Sequence, residues 1–117
     1  MNEIKIWHNP RCSKSREALK ILDAQEVENE VYKYLDTPAN TKEIRELLSM
    51  LGLSPRELMR TKEAIYKELA LQNVQDDGQL IEAMVKHPKL IERPIIIKGD
   101  RAIIARPPSL VEEFLKA

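Results

Sequence analysis

Ile4 and Ile6 alternate with Lys5 and Trp7, a period of two that predicts a strand, and the alternation stops at Asn9-Pro10. From Ser13 to about Ala24 the period changes, and Ala18, Leu19, Ile21 and Leu22 fall at helical spacing. The stretch "VENEVYKYL" then brings β-branched and aromatic residues and closes at "DTPAN", whose residues favour a turn. Strand, tight loop, helix and strand make a βαβ unit.

The next fifty or so residues predict helices. Thr41 reads as an N-cap ahead of an apolar face of Ile44, Leu47, Leu48 and Leu51, with Gly52 as the stop. Ser54-Pro55 restarts a short helix to about Arg60, with serine as cap and proline at the first helical position. A further short helix covers Ala64 to Ala70. Asp76 or Asp77 caps a last one, with Leu80, Ile81, Met84 and Val85 on one face and His87-Pro88 at its end. After Pro94, "IIIK", the pair Gly99-Asp100 and "RAIIA" predict a hairpin. Leu110, Val111, Phe114 and Leu115 give a C-terminal helix from Ser109.

The order βαβ, helices, ββα predicts an α/β chain of the thioredoxin-like class. It has a small mixed four-stranded sheet and a helical insertion at about residues 41–90 between its halves. At 117 residues the expectation is one domain spanning 1–117. Its 43% hydrophobic and 32% charged residues exclude a disordered chain and a membrane-embedded one. The 19 basic and 19 acidic side chains cancel, so no overall field draws the chain to nucleic acid or an anionic membrane. "MNEIKIW" lacks the basic start and apolar stretch of a signal peptide, which leads us to expect a cytoplasmic protein without membrane attachment. One cysteine and two histidines allow no internal disulfide and make a structural metal improbable. A monomer is the default, since one core accounts for the amphipathic helices.

The candidate chemistry lies in "WHNPRCSKSRE". Cys12 stands where a strand hands over to a helix, and a thiol at a helix N-terminus gains from unpaired amides and the positive end of the dipole. Arg11, Lys14 and Arg16 add cations within four residues, and His8 faces the loop from upstream. The amides of about Ser13 to Arg16, with the Ser13 and Ser15 hydroxyls, offer a cradle for an anion. The plain alternative is a small buried core cysteine, but the polar and basic flanks of Cys12 do not fit a core position. His87, beside Pro88, reads as structural.

"HNPRCSKSR", "LMRTKE", "HPKLIERPI" and the "RP" after the hairpin resemble, in order and spacing, the ArsC family of glutaredoxin-coupled arsenate reductases over essentially the whole chain. The family has YfgD-like and Spx-like relatives. The resemblance implies Cys12 as nucleophile, His8 and Ser15 as supports of its thiolate, and Arg60, Arg93 and Arg106 as the oxyanion-binding arginines. Planar guanidinium forks match the several acceptor oxygens of a tetrahedral anion. "ERPI" resembles the turn that carries a cis proline, which falls on Pro94. Arg11 and Lys14 stand where better-known arsenate reductases carry small or neutral residues, and the chain stops soon after the last helix. Both features bring it closer to the YfgD-like branch.

The activity so implied is reduction of arsenate to arsenite through a Cys12 thiol-arsenate adduct, with glutathione and glutaredoxin as external co-substrates and no bound cofactor or metal. The partners expected are arsenate or a similar oxyanion and glutaredoxin. An alternative is an Spx-like protein that binds RNA polymerase and regulates transcription, although the second cysteine of a CxxC switch is replaced here by Ser15. Another is a thiol oxidoreductase of the same fold with a different substrate.

Overall fold

The computed structural model describes residues 4–116, so Glu3, at the head of the expected first strand, lies outside the described residues. The strands are β1 (Ile4–Trp7), β2 (Asn29–Tyr32), β3 (Ile95–Lys98) and β4 (Arg101–Ile104). The helices are α1 (Ser13–Ala24), α2 (Thr41–Leu51), α3 (Pro55–Leu58), α4 (Ala64–Glu68), α5 (Asp77–Lys86) and α6 (Leu110–Lys116). Short 3-10 turns at Leu71–Asn73 and Pro88–Leu90 complete the order. The backbone falls into two compact units, one made of the chain up to Tyr34 together with the chain from Arg93 onward, the other of Leu35–Glu92.

The first unit carries the sheet, in the order β2-β1-β3-β4. β1 runs parallel to β2, which demands a crossover, and α1 supplies it. β3 lies antiparallel to β1, with Ile6 opposite Ile96, and to β4, with Ile96 opposite Ile103. The two-residue loop between β3 and β4 places Gly99 at φ 63°, a conformation that costs glycine nothing sterically. This is the mixed sheet of a thioredoxin-like fold, as the element order predicts.

Alternation along β1 sends Ile4 and Ile6 into a core with Ile96, with Ala18 and Leu22 of α1, and with Val111 and Phe114 of α6. Burying each large aliphatic of this set contributes about 1.5–3 kcal/mol before entropy is counted. Trp7, on the opposite face, is buried as well, edge-on to Tyr32 at 5.0 Å and tilted against Tyr34 at 5.8 Å.

In the second unit Asn40, rather than Thr41, caps α2. Its side chain accepts the Glu43 amide at 2.8 Å, and the Glu43 carboxylate accepts the Asn40 amide at 3.1 Å. Asn40 closes this reciprocal box because its backbone is still extended, whereas Thr41 is already helical. Ser54 caps α3 in the same way, with Pro55 at its first position. The helix expected to reach Ala70 ends at Glu68, and Ala70 takes a positive φ of 51°. The half-buried Arg56 guanidinium joins the pieces, donating to the Tyr66 hydroxyl and to the carbonyls of Leu71 and Val74. Asp76 caps α5 through the Gly78 amide at 3.1 Å.

Candidate active site

β1 is extended beyond Trp7 by one more bond, His8 N–H to Tyr32 O at 2.9 Å, which fixes His8 at the rim of the sheet. The chain then turns. Cys12 N–H donates to Asn9 O at 3.0 Å, the Arg11 amide donates to Asn9 Oδ1 at 3.0 Å, and Arg16 N–H donates to Cys12 O at 3.0 Å as α1 begins. Pro10 presets one φ of this turn, and its missing N–H leaves nothing unsatisfied there.

Cys12 is the N-cap residue of α1, with extended φ and ψ of −97° and 122°, and its side chain is partly exposed. Its side chain closes no cap hydrogen bond, and as the N-cap residue it stands just ahead of the first amides of the helix. Burial is the largest single influence on the thiol and pushes its pKa up. The Ser15 amide, the charge of Arg93, the Lys14 amide and a hydrogen bond from Arg93, in that order, outweigh burial together and hold the thiol below its ordinary value. The cation that acts on the sulfur is therefore Arg93, which arrives from the other end of the chain. Arg11, Lys14 and Arg16 are exposed, and Arg16 turns its guanidinium to Pro10 O at 3.0 Å.

Among the described residues of this unit Ser15 and His8 are the buried polar side chains, 0% and 5% exposed. His8 Nδ1 lies 2.7 Å from Ser15 Oγ, which also accepts the Asn9 amide at 3.0 Å. The Ser15 hydroxyl is thus engaged with His8 and Asn9, while its backbone amide faces the sulfur. Burial, then the charges of Lys33 and Arg16, lower the pKa of His8 and keep the ring neutral near pH 7.

Arg93 and Arg106 lie in the same unit as Cys12, and each precedes a proline in a cis peptide bond, Pro94 and Pro107. The sequence resemblance points to the first of these and gives no hint of the second. Arg106 is exposed and donates from Nη1 to the Arg93 carbonyl at 3.3 Å. Arg60 belongs to the second unit. Its Nη1 meets Glu92 Oε1 at 2.7 Å and its Nε meets Glu63 Oε1 at 3.4 Å, while backbone bonds Arg60 N–H to Leu90 O and Glu92 N–H to Leu58 O tie the two segments together. Among the described residues no group of three His, Cys, Asp or Glu side chains could hold a metal ion, and no helix is long and apolar enough to cross a membrane.

Two contributions escape the sequence reading. Asn9 is visible there only as the end of a strand, although an asparagine followed by proline is itself a turn signal. The action of Arg93 on the thiol has no local signal at all, because it depends on β3 lying beside β1.

The family model described as the ArsC family matches residues 7–114. Over 115 residues the chain is 52% identical to the uncharacterized protein YfgD of Escherichia coli strain K12, covering 97% of each. It is 47% identical to an arsenate reductase of Neisseria meningitidis serogroup A over 98% of this chain and all of that one. The solved structure of an arsenate reductase from Vibrio cholerae matches with a TM-score of 0.92 at 47% identity, over 95% of this chain and 96% of that one.

Proposed function

Because the chain belongs to the ArsC family, we propose that it is a thiol-dependent arsenate reductase with Cys12 as its nucleophile. What supports the reading is the partly exposed Cys12 as N-cap residue of α1, with the Ser15 and Lys14 amides and the Arg93 guanidinium lowering the pKa of its thiol. That arrangement favours the thiolate, the form that attacks.

In the proposed reaction the Cys12 thiolate forms a bond to arsenic, and an arsenic–oxygen bond breaks to release water or hydroxide. The loop amides with Arg93 and Arg106 hold the remaining oxygens and stabilise their charge, and the family resemblance assigns Arg60 to the same anion. His8 and Ser15 support the loop that presents the sulfur. Reduction of arsenic from +5 to +3 needs two electrons. A chain with one cysteine cannot supply them by forming its own disulfide, so they come from two external thiols that end as a disulfide. Glutathione adds to the adduct with loss of a second water, the glutaredoxin thiol attacks the glutathione sulfur to form their mixed disulfide while arsenic keeps the electron pair, and water cleaves the Cys12 sulfur–arsenic bond to release arsenite and return the free thiol. This chemistry suits the reducing cytoplasm and a monomer.

The test is a coupled assay with arsenate, glutathione, glutaredoxin and an NADPH-dependent reductase. NADPH oxidation is expected with the wild-type protein and not with Cys12→Ser. Equal silence of the two proteins would reject arsenate as the substrate.

A further inference from the structure

We propose that Asn9 is a positioning residue for Cys12: its side chain closes the turn ahead of α1 and so holds the sulfur against the Ser15 and Lys14 amides. The inference rests on the thiolate reading of Cys12. Asn9 is bound to the loop through three separate atoms. Its carbonyl accepts Cys12 N–H at 3.0 Å, its amide donates to Ser15 Oγ at 3.0 Å, and its Oδ1 accepts Arg11 N–H at 3.0 Å. The first two are backbone atoms that any residue has. The third belongs to the side chain, and because Arg11 N can only donate, the atom facing it must be the oxygen.

That side-chain bond spans two residues and mimics a backbone turn, which asparagine and aspartate do well and longer side chains do not. It lies inside the ring closed by Cys12 N–H and Asn9 O, so it fixes the approach of the chain to the N-cap position. Without it, Pro10 and Arg11, both exposed, have no other side-chain tie among the described residues except the Arg16 contact to Pro10 O. The sulfur would then sample positions away from the two amides. Aspartate would keep the turn but add a negative charge beside the thiolate, which gives asparagine a chemical advantage at this position.

The test measures the rate of Cys12 alkylation by iodoacetamide against pH, without arsenate or reductant, together with thermal melting. Asn9→Ala and Asn9→Gln should raise the alkylation midpoint by about 0.5–1 pH unit, the size expected for losing one cap-like bond. Asn9→Ser, which can form a weaker turn of the same kind, should recover most of the wild-type midpoint. A lower Tm for Asn9→Ala or Asn9→Gln with an unmoved midpoint would make the residue merely structural and overturn the proposal. If Asn9→Ala does not fold, the Ser and Gln variants decide, and equal midpoints for the two overturn it. A wild-type midpoint equal to that of free cysteine rejects the thiolate reading itself. A low wild-type midpoint that no Asn9 variant moves rejects only the role of Asn9.

Discussion

His8 Nδ1 sits 2.7 Å from Ser15 Oγ, both side chains buried, in a position that ties the rim of β1 to the first turn of α1. The pair is internal to the loop that carries the thiol, so its state of protonation and the shape of that loop are linked.

His8 should make the protein lose stability in mild acid. Its folded-state pKa lies below the ordinary histidine value, so as pH falls through about 6.5 the unfolded chain takes up a proton that the folded chain refuses. The contribution is complete above that pH and is lost below it, until the folded-state value is reached. Urea unfolding from pH 7.5 down to 5 should show a slope of at most about 1.4 kcal/mol per pH unit from this group. His8→Gln should flatten that slope; an unchanged slope would mean that the ring takes up its proton as readily in the folded protein.

Arg93 contributes to the thiol both as a charge and as a hydrogen-bond donor. Arg93→Met should raise the alkylation midpoint of Cys12 by about one pH unit, and Arg93→Lys by less, since lysine keeps the charge without the planar fork. Thiolate absorbance in the ultraviolet checks both. Coinciding midpoints for wild type and Arg93→Met would leave the helix amides as the sole source of the effect.

Arg60 is held by Glu92 and Glu63, two carboxylates on the fork that the proposed reaction assigns to an oxyanion. Glu92→Gln removes one competitor while its backbone bond to Leu58 remains. The expected outcome is a KM for arsenate several-fold lower with kcat little changed, alongside a raised KM in Arg60→Ala. A raised KM in Arg60→Ala with no change in Glu92→Gln would show that the carboxylate does not compete.

Arg56 organises the second unit through the Tyr66 hydroxyl and the carbonyls of Leu71 and Val74. Arg56→Met leaves the Val74 carbonyl without this donor, while the Leu71 carbonyl keeps the Val74 amide at 3.0 Å, and should cost about 1–3 kcal/mol in denaturant unfolding. At α2, Asn40→Ala should cost about 1 kcal/mol while Thr41→Ala stays within about 0.5 kcal/mol. Equal losses at the two positions would count against Asn40 as the cap.

Much of this was legible because its causes are local. The switch of period from two to helical spacing between Trp7 and Ser13 is enough to place Cys12 at a strand-to-helix junction. The alternation of Ile4 with Ile6, the Ser54-Pro55 restart and the Gly99-Asp100 hairpin are likewise signals carried by a few adjacent residues. The cap of α2 lies one residue earlier than the sequence suggests, since both Asn40 and Thr41 are good caps and only the backbone angles separate them. The influence of Arg93 on the sulfur and of Glu92 on Arg60 is tertiary, and no window of sequence contains both partners of either. Glu63 is only three residues from Arg60, and His8 seven from Ser15, but neither spacing by itself says that the side chains meet.

The sulfur and the guanidinium that acts on it stand on opposite sides of the whole Leu35–Glu92 unit along the chain. The thiol therefore draws its support from both ends of the chain, and the part owed to Arg93 depends on β3 lying beside β1.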